Sequence, residues 1–244
     1  MKLKLVALAA SLLCSGVTFA QTAATAATPE YTFSFNVGAV TDYRYRGISQ
    51  TRLRPALQGG IDFAHASGFY AGTWASTLKW IKDAGGDTDV ETDFYAGYKF
   101  TASDIGFDVG VLRYQYFGND LNPSANTTEG YIAGTFGPAT LKYSHAFTNL
   151  FGFVDSKNSY YLDLSATFDT GYWGLTVTPH VGYQKVKNNG DASYTDWAVT
   201  LGKDFGDGLS GTLAYVDTDT NNYRGASNKN LGRWGLVAGV KYAF

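Results

Sequence analysis

The sequence is short of reactive groups. It has 1 cysteine and 3 histidines in 244 residues. The one thiol, Cys14, sits in the apolar core of the N-terminal leader, so the mature chain has no disulfide and no thiol chemistry. Lipidation of Cys14 would call for a small residue before it, and Leu13 is not small. The isolated histidines have no ligand spacing, so neither a metal site nor a cofactor is expected. No G-x-S-x-G motif marks a nucleophile, so no catalytic residue is assigned. Beyond the leader no run of about 18 apolar residues occurs, which excludes a transmembrane helix in the mature chain. Charge is scarce as well, at 16% of residues. Of 19 Lys and Arg, Lys2 and Lys4 lie in the leader, leaving 17 against 21 acidic residues. A mildly acidic chain argues against a nucleic-acid partner.

Aromatics and glycine are plentiful: 18 Tyr, 16 Phe and 29 Gly. That mixture favours strands and turns over helices. The mean hydropathy of −0.15 is what one lipid face and one wet face average to. Residues 1–20 read as a secretory signal peptide: Lys2 and Lys4, then Leu5–Leu13, then a small-residue approach to Ala20. Residues 21–30 read as a flexible periplasmic lead, and 31–244 as the folded part.

The last stretch, Arg233–Phe244, shows the organising pattern. Trp234, Leu236, Ala238, Val240, Tyr242 and Phe244 share one parity, and Arg233, Gly235, Val237, Gly239, Lys241 and Ala243 the other. Successive strand side chains face opposite ways, so one face is aliphatic with aromatic ends. Val90–Phe100 repeats the pattern, with Phe94, Tyr98 and Phe100 opposite Glu91, Asp93 and Lys99. The first strand reads from Tyr31 to about Gly47, which puts Tyr43 and Tyr45 in an aromatic girdle. Trp74 and Phe69 leave the parity of 69–76 ambiguous. Asp108 shares parity with Leu112, Tyr114 and Tyr116, which suggests a bulge near Gly110. In all, twelve strands are joined by connections that alternate long and short. The expected fold is all-β, a transmembrane up-and-down antiparallel β-barrel with the short turns periplasmic. A soluble sandwich or lipocalin-like cup explains the alternation but less of the order.

Asp42-Tyr-Arg-Tyr-Arg-Gly-Ile-Ser-Gln50, Pro55–Phe63, Ser67–Ser76 and Glu91–Tyr98 resemble the TorF porin family in order and spacing. The resemblance implies an outer-membrane β-barrel with a channel role, and it brings no catalytic residues.

Charges in crossing strands should face inward, because a lipid-facing Arg or Lys at midplane costs about 2–4 kcal/mol. The expected pore-lining set is Asp42, Arg44, Arg46, Asp62, Glu91, Asp93, Lys99, Lys142, Asp163 and Asp196. Asp42, Arg44 and Arg46 form one row, able to pair internally or with Glu91, Asp93 and Lys99. Two readings of that row stand side by side: a charged lining that selects solutes by charge and width, or a salt-bridged plug. The expected role is an outer-membrane channel for passive diffusion of small hydrophilic solutes in a Gram-negative bacterium, not an enzyme. The alternatives are a lipid-hydrolase-type outer-membrane enzyme, pairing a Ser with His145 or His180, and a closed structural or adhesive barrel. The expected partners are outer-membrane lipid and, through the C-terminal strand, the barrel assembly machinery. Monomer and homo-oligomer are both open.

Overall fold

The computed structural model describes residues 29–244. The expected signal peptide and most of the lead lie outside the described residues. Twelve strands form the wall: β1 (Tyr31–Val40), β2 (Ala56–His65), β3 (Phe69–Thr77), β4 (Val90–Ala102), β5 (Ile105–Gln115), β6 (Thr127–Phe136), β7 (Ala139–Ala146), β8 (Tyr160–Ala166), β9 (Leu175–Lys185), β10 (Tyr194–Gly206), β11 (Leu209–Thr218) and β12 (Gly235–Ala243). Beyond Thr167, β8 continues as Phe168–Asp169, still paired with β9. Every strand pairs antiparallel with its sequence neighbours. The circle closes where β12 meets β1, with Asn36 opposite Ala243 and Val40 opposite Gly239. A closed sheet has no unpaired edge, so every rung of the ladder can be satisfied inside a hydrocarbon layer.

The outward set is apolar around the whole circumference. Val37, Leu57, Phe94, Val111, Ile132, Leu141, Leu164, Val199 and Leu236 are all exposed. Water would penalise such a surface, and a lipid tail would not. Tyr98, Phe100, Phe136, Phe205 and Tyr242 form an exposed aromatic belt near the short turns. Phe117, Phe147, Trp197, Tyr215 and Trp234 form another near the long loops. No helix among the described residues is long and apolar enough to span a membrane.

Three details depart from the sequence reading. First, β1 ends at Val40, and the chain then leaves the wall and turns inward. Tyr43 is therefore 4% exposed inside the barrel rather than in a girdle. Second, β5 keeps one register from Ile105 to Gln115, with no bulge near Gly110. Asp108, Leu112 and Tyr114 all face inward, because the in-turned chain and the long loops pack Leu78, Ile81, Leu112, Tyr114 and Tyr116 into an apolar cluster there. A shift in register falls instead between Asp204 and Gly206. Third, the ambiguity in β3 resolves with Tyr70, Trp74 and Ser76 inward, Trp74 edge-on to Tyr43.

Candidate functional site

The site is built on the chain between β1 and β2. Arg44–Tyr45 and Ile48–Ser49 form a two-rung hairpin inside the long-loop end of the barrel. Its tip, Arg46-Gly47, has φ of 47° and 79°. A Cβ on Gly47 would lie 2.5 Å from Thr218 Cγ2 and 2.8 Å from Asp196 Cβ, so both the backbone and the space call for glycine. Asp42 ties the base of the hairpin. It accepts from Arg44 Nε at 2.5 Å, Ser49 Oγ at 2.5 Å and Thr51 Oγ1 at 3.2 Å. Arg44 also donates to the carbonyls of Gly47 (2.9 Å) and Arg233 (2.8 Å).

Arg46 joins the hairpin to the wall. It grips Glu129 of β6 through both terminal nitrogens, at 3.0 and 2.7 Å, and donates to Gln184 Oε1 of β9 at 2.7 Å. Its guanidinium lies 4.8 Å from the Tyr45 ring centre and 4.3 Å from that of Tyr161. The planar fork suits both contacts, two parallel bonds to a carboxylate and a stack on aromatic faces. The Arg46 and Glu129 side chains are 3% and 2% exposed, so water does not screen the pair. Tyrosines complete the attachment. Tyr43 and Tyr116 each donate to Glu91 at 2.6 Å, and the Tyr45 and Tyr114 hydroxyls meet at 2.7 Å. Asp196 accepts from Tyr161 and contacts His180 Nε2, each at 2.8 Å, and the other ring nitrogen of His180 lies 3.1 Å from Asp163.

Other loops cover the hairpin. The amides of Lys79 and Trp80 donate to the Gln50 carbonyl, and Arg52 pairs with Asp83. Lys229 donates to the Arg52 carbonyl at 3.2 Å, and Ile48, Tyr194 and Leu231 form a small apolar cluster. On the rim, Lys79 and Lys82 lie 3.2 and 3.4 Å from Asp89 and hold its carboxyl below the usual carboxylate range.

Nearer the short turns the lumen is lopsided. On the β2–β8 side, Tyr95 bonds Asp62, Tyr70 donates to Asp108 at 2.6 Å and also meets the Tyr131 hydroxyl. Lys99 and Lys142 stand 4.9 and 4.1 Å over the Tyr70 and Tyr131 rings. At the level of the hairpin, Tyr161 packs on Gly182, where a Cβ would overlap the phenol. Across the lumen, β10–β12 and β1 present mostly smaller side chains, Thr200, Thr212, Ala214, Val237, Gly239 and Ser34, with Asn36 and Lys241 in the same inward rows.

Seven of the expected residues therefore face inward from the wall: Asp62, Glu91, Asp93, Lys99, Lys142, Asp163 and Asp196. Asp42, Arg44 and Arg46 belong to the in-turned hairpin instead of a strand row. Asp93 is 1% exposed, and its Oδ1 has no hydrogen-bond partner. Arg46 pairs with Glu129 rather than Asp93. Glu129 is not in the expected set, although a glutamate opposite Ile132 and Phe136 in parity carries the same signal as Glu91. Ser144 faces inward while His145 faces outward toward Tyr143 and Asn158, so they form no pair.

A closed barrel, apolar outside and polar within, defines the class: a transmembrane barrel like the outer-membrane porins. The chain belongs to the family described as "Bacterial protein of unknown function (Gcw_chp)", whose model matches residues 23–243. No curated protein matches it. Among solved structures it is similar to the KdgM porin in complex with disordered oligogalacturonate, with TM-score 0.57, 13% identity, 86% of this chain and 99% of that one. It is also similar to a structure determined in work on the mechanism of in-meso crystallization of membrane proteins, with TM-score 0.52, 9% identity, and 87% and 83% of the two chains. OccK5 of Pseudomonas aeruginosa overlaps less well, with TM-score 0.40, 16% identity, and 89% and 68% covered.

Proposed function

We propose that this protein is an outer-membrane channel for small hydrophilic solutes, with its outer mouth stoppered by the hairpin that carries Arg46. The observation that carries the reading is the hairpin itself, a separate charged element seated in a polar lumen mainly through side chains, with a backbone bond from Ser49 to the Leu231 carbonyl. A wall strand cannot move without breaking its ladder. A hairpin held by Arg46–Glu129, Tyr43–Glu91 and Tyr45–Tyr114 can leave by exchanging those bonds for water. In this reading Asp42, Arg44, Arg46, Glu91, Asp93 and Asp196 form the constriction. Asp62, Lys99, Lys142 and Asp163 line the space below it, and the small-residue wall supplies the path. The resemblance of Asp42–Gln50 to the TorF porins supports the same role. The KdgM porin's oligogalacturonate is a hydrophilic solute of this broad class. The long loops then face outside a Gram-negative cell, and β12 is the strand that the assembly machinery engages.

The test is single-channel recording of the refolded mature barrel in a planar bilayer, beside a variant lacking residues 43–50. Rare openings in the wild type and sustained conductance in the deletion are expected. Silence from both, with the deletion still heat-modifiable on gels, would overturn the channel reading in favour of a closed structural barrel. The buried bidentate pair Arg46–Glu129 is the observation that favours that second reading.

A further inference from the structure

Three cations stand in outward rows among the described residues, Arg113, Lys185 and Lys203, and Arg113 is the one beside an apolar groove. Arg113, near the long-loop end of β5, lies cross-strand from Phe94 and Thr128, in the outward row with Val111. The cost of an outward arginine falls from about 2–4 kcal/mol at midplane to about 0–1 near the interface, so the rim is where it can stand. Its Nε donates to Gln115 Oε1 at 3.1 Å and one terminal nitrogen to Thr128 Oγ1 at 2.9 Å. Both acceptors are neutral, and no carboxylate pairs with Arg113 among the described residues. The charge is oriented but not compensated.

Two apolar grooves run beside it on the outer wall. One, of about 290 Å³, is lined by Phe94, Ala96, Val111 and Arg113 itself. The other, of about 450 Å³, lies beyond Val111 and is lined by Gly130, Ile132, Tyr143 and Phe147. Val111 is shared by both.

We propose that this face binds a phosphorylated, multiply acylated lipid of the outer leaflet, with its phosphate on Arg113 and acyl chains in the grooves on either side of Val111. The proposal rests on the outer-membrane reading above. Charge complementarity selects the headgroup: an arginine with free N–H groups and no carboxylate matches a phosphate fork to fork. Adjacent grooves sharing one ridge match more than one chain, and the nearer one is lined by Arg113 itself.

The test is native mass spectrometry of the full mature barrel in neutral detergent, titrated with diphosphorylated lipid A. Saturable one-to-one adducts are expected. Arg113→Gln should weaken them about tenfold, and Arg113→Lys less. Val111→Trp, which fills the shared ridge, should also weaken them. Heat-modifiability checks that each variant is folded. The proposal falls if Arg113→Gln binds like the wild type, if dephosphorylated lipid binds equally, if inorganic phosphate alone competes, or if barrel dimers form in place of lipid adducts. Binding is read in micelles, so a silent channel leaves this result intact, and the reverse holds too.

Discussion

The two sides of the lumen are built on opposite plans. From β2 to β8 the inward positions carry tyrosines and charges that fill the interior and bond one another. From β10 through β12 to β1 they are mostly threonine, serine, alanine, valine and glycine, with Tyr194, Asp196, Lys241 and Asn36 among them. The same alternation produces both sides, and strand formation tolerates either content. The large side chains anchor Tyr43, Tyr45 and Arg46 of the hairpin, and the small side leaves room below the place where Gly47 packs against Thr218 and Asp196. A solute path, in the reading proposed here, follows the second side once the first lets go of Arg46.

The sharpest way to break this contrast is to cut the hairpin's anchor. Arg46→Ala leaves Glu129 buried without its cation, and breaking such a pair costs about 3–5 kcal/mol. The hairpin should unseat while the wall stays folded, giving sustained conductance with unchanged heat-modifiability. Gly47→Val meets Thr218 and Asp196 and forces a branched residue into positive φ. A penalty of about 1–3 kcal/mol should give more frequent but still brief openings. A bulky residue on the small side should do the opposite. Thr212→Phe is expected to lower the conductance of the hairpin deletion by roughly half. Tyr131→Phe on the crowded side should change it little, and equal effects would erase the distinction between the sides.

The smallest effect concerns the rim. Lys79 and Lys82 depress the Asp89 carboxyl, so its contribution is present above the unfolded carboxylate value and is lost as pH falls through the lowered one. The group is exposed, and solvent screens it. Acidification should therefore raise loop fluctuation slightly, measured as backbone exchange near 79–89, and Asp89→Asn should remove that dependence.

Much of the wall was legible because lipid inverts the usual code. Outward apolar rows such as Phe94, Tyr98 and Phe100 alternate with inward Glu91, Asp93 and Lys99, and parity alone separates them. The inward turn after Val40 was not legible. Asp42, Arg44 and Arg46 keep the parity of the strand they leave, so alternation cannot reveal that the backbone has departed. Tyr43 and Tyr45 misled for a related reason: tyrosine serves a membrane interface and a hydrogen-bonded interior equally well. Glu129 lay at what read as a strand boundary, where a charge attracts no notice. Which loop lies over which, as in Arg52 with Asp83, depends on three-dimensional contacts with no local sequence signal.

The circle closes on a short ladder, and that bears on how the barrel forms. Eleven of the twelve pairings join strands adjacent in sequence and can zip as successive hairpins. The twelfth joins Asn36–Val40 to residues 239–243, helped by reciprocal bonds between Phe35 and Phe244. Bringing together chain segments some 200 residues apart costs about 5 kcal/mol of loop-closure entropy by the logarithmic law. That whole cost falls on one five-rung seam, so sealing it should be the slow step of assembly, and an open, curled sheet with one free edge should be the species that precedes the finished barrel.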